Sequence, residues 1–142
     1  SAFAAILGDG SVVTWGDGIL GGDSRAVQDQ LNNVRQIQAS ERAFAAILGD
    51  GSVVTWGDVQ CGGDSSAVQH QLKTAQQVQA SINAFAAILG DGSVVTWGDS
   101  RGGGDSTAVQ DRLRNVQQIQ ATLSAFAAIL GDGSVVTWGE AG

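Results

Sequence analysis

The chain has 142 residues, 43% of them hydrophobic and 15% charged, a composition that folds rather than stays disordered. Fourteen acidic residues against seven basic ones give a net charge of -7, which repels phosphate backbones and anionic lipid surfaces, so neither nucleic acid nor membrane is an expected partner. No apolar run reaches the roughly 18 residues of a spanning helix, and a single cysteine, Cys61, can make neither an internal disulfide nor a cysteine metal cluster.

The first predicted element is the apolar strand Phe3-Ala4-Ala5-Ile6-Leu7. A turn, Gly8-Asp9-Gly10, separates it from a second strand, Ser11-Val12-Val13-Thr14-Trp15-Gly16, rich in β-branched and aromatic residues. An Asp-Gly pair between two such runs marks a β-hairpin, here expected with the positive φ of a type I′ turn at both central positions. Beyond Gly21-Gly22-Asp23-Ser24, the residues Ala26, Val27 and Leu31 recur at helical spacing with no Gly or Pro among them. Asp23 or Ser24 supplies the cap, and a helix of about two turns is predicted. Val34 to Ala39 then alternates as a half-buried strand does, with Ile37 and Ala39 on one face and Gln36 and Gln38 on the other.

This pattern repeats with a period of 41 residues. AFAAILGDGSVVTWGD stands at 2–17, 43–58 and 84–99, and returns at 125–140 with Glu140 in place of the last Asp. Four predicted hairpins are joined by three linking segments that differ at a few sites. The units run 1–41, 42–82 and 83–123, with a partial unit at 124–142, and together they read as one repeat domain. A period of this size belongs to solenoids, propellers and arrays, in which a unit buries its apolar face only against a neighbour.

Candidate chemistry is sparse. Asp9, Asp50, Asp91 and Asp132 form a symmetric acidic set of the kind calcium seeks, but each stands in a turn that favours Asp for its backbone geometry. Asp23, Asp64 and Asp105 precede the predicted helices and read as caps, while Asp17, Asp58, Asp99 and Glu140 read as a polar loop or a bond to a neighbouring unit. Trp15, Trp56, Trp97 and Trp138 share a strand face with the nearby valines and are expected in the packing between units. Gly102-Gly103-Gly104-Asp105 lacks the Lys and Ser or Thr of a phosphate loop. The lone His70 and Cys61 fall outside the repeated frame and make a poor nucleophile and base. No catalytic residue, metal or cofactor is expected, and no cell compartment can be read.

The order of a small-residue strand, an aliphatic strand, an Asp-Gly turn and a strand ending in Trp-Gly before glycines resembles the repeat of the regulator of chromosome condensation family. Asp9, Gly10, Trp15 and Gly16 carry the likeness in the first unit, and Asp50, Gly51, Trp56 and Gly57 in the second. Asp91, Gly92, Trp97 and Gly98 carry it in the third, and Asp132, Gly133, Trp138 and Gly139 in the fourth. The resemblance implies a β-propeller or a relative of one. The unit is shorter than that family's, and a helix takes the place of an outer loop or strand. Nucleotide exchange on a small GTPase and docking on chromatin, known in the family, depend on loops outside the core motif, and no residues here carry them over.

The expected fold is therefore mainly β with short helices: a propeller-like array of four hairpin-centred quasi-blades, each full unit strand, strand, helix, strand. The expected function is a structural or protein-interaction scaffold. Near-identical units without Pro, Met or Tyr fit an excised or engineered segment with no activity of its own. The alternative is a lectin-like small-ligand binder with one shallow site per unit, built from the Trp and Asp positions. The first hairpin has no linking strand before it, so either the ends meet in a ring or exposed edges pair with another chain as a homodimer.

Overall fold

The structure is a computed structural model and describes residues 1–140. Strands β1 (Ala2–Ile6) and β2 (Val12–Gly16) form a two-stranded antiparallel sheet. Three sheets of three strands follow: β3 (Val34–Ala39), β4 (Ala43–Leu48) and β5 (Val53–Gly57); β6 (Ala75–Ala80), β7 (Ala84–Leu89) and β8 (Val94–Gly98); β9 (Val116–Ala121), β10 (Ala125–Leu130) and β11 (Val135–Gly139). The aliphatic strand is central in each, with the linking strand on one side and the Trp strand on the other.

All four hairpins are present, but their turn is not type I′. Only Gly10 and its equivalents have positive φ (83 to 86°), while Gly8 and Asp9 do not. The Gly10 amide bonds to Leu7 O at 2.9 Å and the Leu7 amide to Ser11 O at 2.8 Å, closing a three-residue loop in which glycine takes the left-handed position of a G1 bulge. The linking strands carry a second irregularity. Their register shifts at Arg35, Gln76 and Gln117, and the extra residue turns Val34 and Ile37 to the same inward side although three positions separate them. Strict alternation would place them on opposite faces.

The predicted two-turn α-helices are instead short 3₁₀ segments at Gln28–Gln30, Ser66–Val68 and Thr107–Arg112. A second short helical turn, read from the sequence only as loop, follows each Trp strand at Gly18–Gly22, Val59–Cys61 and Ser100–Gly102. Leu31, Leu72 and Leu113 close the outer segments and are 1% exposed. Eight or so residues between the Asp and this anchor are too few to nucleate a stable α-helix.

Three apolar clusters lie between successive units. The first joins Ala2, Ala4 and Val12 of the first unit to Phe44, Ala46 and Trp56 of the second. The second sets Ala45, Ile47 and Val53 against Phe85, Ala87 and Trp97, and the third sets Ala86, Ile88 and Val94 against Phe126, Ala128 and Trp138. Because strand side chains alternate, each hairpin turns its Phe and Trp toward the unit before it and its alternate Ala, Ile and Val toward the unit after it. The linking strands β3, β6 and β9 run beside one another along the array. The fourth unit does not pair with β1, which leaves β1 and β2 as a sheet of two strands among the described residues.

Candidate functional site

Phe44 stands opposite Trp56, Phe85 opposite Trp97 and Phe126 opposite Trp138 in strand register. Each pair stacks with ring centroids 5.3 to 5.5 Å apart, a favourable aromatic separation. Over each pair lies a glycine of the preceding unit: Gly21, Gly62 or Gly103, with φ of 105, 97 and 99°. A Cβ there would collide with the Phe ring, and the carbonyl of the same glycine accepts the indole N–H at 3.0 to 3.1 Å. The Gly-Gly pair in the sequence is thus a clamp between units, a role that sequence reasoning missed because the ring it touches lies 23 residues away.

Within each unit a polar strap ties the outer segment to the sheet. Thr55 Oγ1 donates to Gly63 O at 3.2 Å and shares a hydrogen bond with Ser65 Oγ at 2.8 Å, while Gln69 Nε2 donates to Val53 O and to Ser65 Oγ, both at 2.8 Å. Thr14, Ser24 and Gln28 in the first unit and Thr96, Ser106 and Gln110 in the third join the same positions, with the Ser24 and Ser106 hydroxyls donating to Gln28 Oε1 and Gln110 Oε1. No buried side-chain nitrogen or oxygen lacks a partner among the described residues.

The acidic positions are explained locally. Asp9, Asp50, Asp91 and Asp132 each accept from the amide and hydroxyl of the serine two residues on, with oxygens 2.5 to 3.0 Å away, and these bonds hold their carboxyls below the ordinary value. Asp17, Asp58 and Asp99 cap the short turn after the Trp strand, accepting from Ile19, Gln60 and Arg101 amides at 2.9 to 3.0 Å. Asp23, Asp64 and Asp105 accept from the amide two residues later and cap a turn rather than the predicted helix. The Arg25 guanidinium, bonded to Asp23 at 2.7 Å, draws that carboxyl down to about 2. No group of three His, Cys, Asp or Glu converges on a metal position among the described residues.

Cys61 is buried, its thiol donating to Asn83 Oδ1 at 3.3 Å, and burial pushes the thiol up, away from the reactive thiolate. His70 lies exposed on an outer turn with its ring 3.5 Å from Gln71. No hydrogen bond joins it to Cys61 among the described residues.

One surface gathers residues that differ between units. The turns at 18–20, 59–61 and 100–102 and the β3–β4, β6–β7 and β9–β10 connections all lie at the Trp end of the sheets. They bond to one another: the Asp58 amide to Arg42 O at 2.8 Å, Ser40 Oγ to Cys61 O at 2.8 Å and Ser81 Oγ to Gly102 O at 2.6 Å. Glu41 N bonds to Ile82 O and Ile82 N to Leu123 O, each at 2.9 Å, which carries the surface from unit to unit. Ile19, Val59 and Leu123 project from it, 65 to 75% exposed.

No family model matches the sequence, and no curated protein does. Among solved structures, that of Kap60 bound to yeast RCC1 (Prp20) is 18% identical over 97% of this chain and 41% of that chain, with a TM-score of 0.69. The fold is that of RCC1-type repeats. A second structure, of Prp20p from Saccharomyces cerevisiae, described with its binding properties to Gsp1p and histones, is 17% identical over 97% of this chain and 42% of that one, with a TM-score of 0.67. The computationally designed Ika4 protein is 19% identical over 94% of this chain and 81% of its own, with a TM-score of 0.53. The chain thus spans about two fifths of the yeast chains it matches. In this array the Asp-Gly pair closes each hairpin, and Trp56, Trp97 and Trp138 sit at the joints between units.

Proposed function

We propose that the chain is a non-catalytic protein-interaction scaffold that binds through the loop surface at the Trp end of its sheets. The observation that carries this reading is the separation of roles. The aromatic pairs, glycine clamps, polar straps and turn aspartates recur in the units and serve the frame, whereas the loops at 18–20, 59–61 and 100–102 change chemical class from unit to unit and present Ile19, Val59 and Arg101 on one surface. Repeat proteins place changeable residues on a common face in this way when that face recognises a partner. The yeast protein of the same fold is a protein binder by its own description, bound to Kap60 in one structure and described with binding properties to Gsp1p and histones alongside another.

The lectin-like alternative draws less support. Trp56, Trp97 and Trp138 are 5 to 7% exposed and stand at the opposite end of their hairpins from Asp50, Asp91 and Asp132. A photo-crosslinking residue placed at Val59, at Leu123 or, as control, at Asp91 on the turn end tests the scaffold reading. The first two positions are expected to capture the same proteins and the third to miss them. Equal capture at all three would sink the reading.

A further inference from the structure

We propose that Asp17-Gly18 is a spontaneous isoaspartate site of the folded chain, while the Asp-Gly pairs of the hairpin turns are held inert. The sequence contains five such pairs: four in the turns at Asp9, Asp50, Asp91 and Asp132, and a fifth in the first unit alone, where the second and third units have Asp58-Val59 and Asp99-Ser100.

An aspartate before a glycine carries its own reagents, because no side chain on the next residue crowds the attack. The glycine nitrogen gives up its proton and attacks Cγ of the neutral side-chain carboxyl. A C–N bond forms, the carboxyl hydroxyl leaves with a proton as water, and a cyclic imide closes. Water then adds at the main-chain carbonyl carbon of the aspartate and breaks its bond to the nitrogen. The chain now runs through Cγ, and the α-carbon bears a free carboxylate. Nothing is oxidised or reduced.

The hairpin turns oppose both halves of this reaction. The Gly10, Gly51 and Gly92 amides donate to Leu7, Leu48 and Leu89 O at 2.9 to 3.0 Å, a bond that an imide nitrogen, having no proton, cannot keep. Oδ1 of Asp9, Asp50 and Asp91 accepts from the amide and the hydroxyl of the serine two residues on. These bonds favour the carboxylate over the neutral acid that reacts. The same three glycines are held from the other side, their carbonyls accepting from the Val34, Ala75 and Val116 amides at 2.9 Å.

Asp17-Gly18 lacks most of these restraints. The Gly18 amide, first in its helical turn, has no hydrogen-bond partner among the described residues, and among them the Asp17 carboxylate accepts from the Ile19 amide alone, at 3.0 Å. Asp17 and Gly18 are both exposed. Standing in the first unit is not the cause: Val59 and Ser100, which replace Gly18 in units that have another unit before them, are exposed as well, and their amides equally lack a partner among the described residues. The Leu20 and Gly22 amides on Asp17 O, at 3.1 and 2.8 Å, resist the main-chain rotation that brings the nitrogen over Cγ, so the folded chain reacts more slowly here than an unfolded one. The product leaves the sheets as they are and alters the loop surface, where the chain gains one main-chain atom beside Ile19, itself 75% exposed.

Wild type and Gly18→Val are incubated at neutral pH, folded and in urea, then cut with trypsin and labelled by an isoaspartyl methyltransferase with S-adenosylmethionine. Asp50 and Asp91 fall in peptides 43–73 and 74–101, while Asp9 and Asp17 share peptide 1–25. Gly18→Val copies the Asp58-Val59 of the second unit. Gly18→Ala replaces it if the circular dichroism changes, since the nearest atom to a Cβ there is Asp23 Cβ at an ordinary 3.5 Å. In the folded wild type, label is expected to build in peptide 1–25 at least about tenfold faster than in the other two, and Gly18→Val to bring peptide 1–25 down to their rate. In urea, label is expected in all three. Equal rates in the three peptides of the folded wild type overturn the proposal, as does label in peptide 1–25 that survives Gly18→Val, which places the reaction at Asp9. The chemistry does not rest on the scaffold reading, which crosslinking at Val59 and Leu123 decides separately.

Discussion

Gly62 shows how much of this fold rests on single atoms. Its φ of +97° costs a side-chain-bearing residue roughly 1–2 kcal/mol, and any Cβ meets the Phe85 ring, which is fully buried and has no room to withdraw. Gly62→Ala is expected to destabilise the chain by about 2–4 kcal/mol in urea unfolding. Gly8→Ala, at ordinary φ with nothing within 4 Å of its Cβ, should change stability by less than about 0.5 kcal/mol. Equal effects would contradict the clamp. The aspartates act at the same scale through pH. Asp23, lowered from 3.8 to about 2 by Arg25, and the turn aspartates Asp9, Asp50, Asp91 and Asp132, lowered by their serines, bind protons more weakly folded than unfolded. Their contribution is complete above the unfolded value and is lost as pH falls from about 4 toward 2. The Tm is expected to drop across that window, and Asp23→Asn to make the drop shallower; a Tm flat between pH 4 and pH 2 would refute the assignment.

At the scale of the element, the hairpins were legible because their signal is local: an Asp-Gly turn between two short β-rich runs, with the Trp one strand-length away. The turn type was not, because the sequence does not say which of Gly8, Asp9 and Gly10 takes the left-handed conformation. Ala26, Val27 and Leu31 carried a helical spacing, yet long-range bonds decide the outer segments. Ser65 and Gln69 are held by Thr55 and by Val53 O on the neighbouring strand, which fixes the chain as a strap rather than a free helix. The caps at Asp17, Asp58 and Asp99 were obscured by the three differing residues that follow each of them. Gln69→Ala is expected to leave Val53 O without this partner and to cost about 1–2 kcal/mol. Hydrogen exchange should quicken at 64–72 and hold steady in β7. Protection unchanged at 64–72 would mean that the strap is not held by these bonds.

Over the whole molecule, stability in a repeat array is close to a sum of unit and joint contributions. Units two and three each share two joints, while the first and fourth share one, and the first also lacks a linking strand. Equivalent substitutions are therefore unequal. Trp97 is 5% exposed, stacks on Phe85 and donates to Gly62 O across a joint, so Trp97→Ala removes a large buried ring and should cost about 3–5 kcal/mol. Trp15 has the same sequence context but is half exposed, and its indole N–H has no hydrogen-bond partner among the described residues. In dilute solution, Trp15→Ala should cost less than about 1 kcal/mol. The measurement is urea unfolding of both variants at low concentration, followed by hydrogen exchange to locate the least protected region, which is expected to be β1 and β2. If the two substitutions cost the same, the first hairpin is covered even in the isolated chain, and joints between units do not set the order of stability.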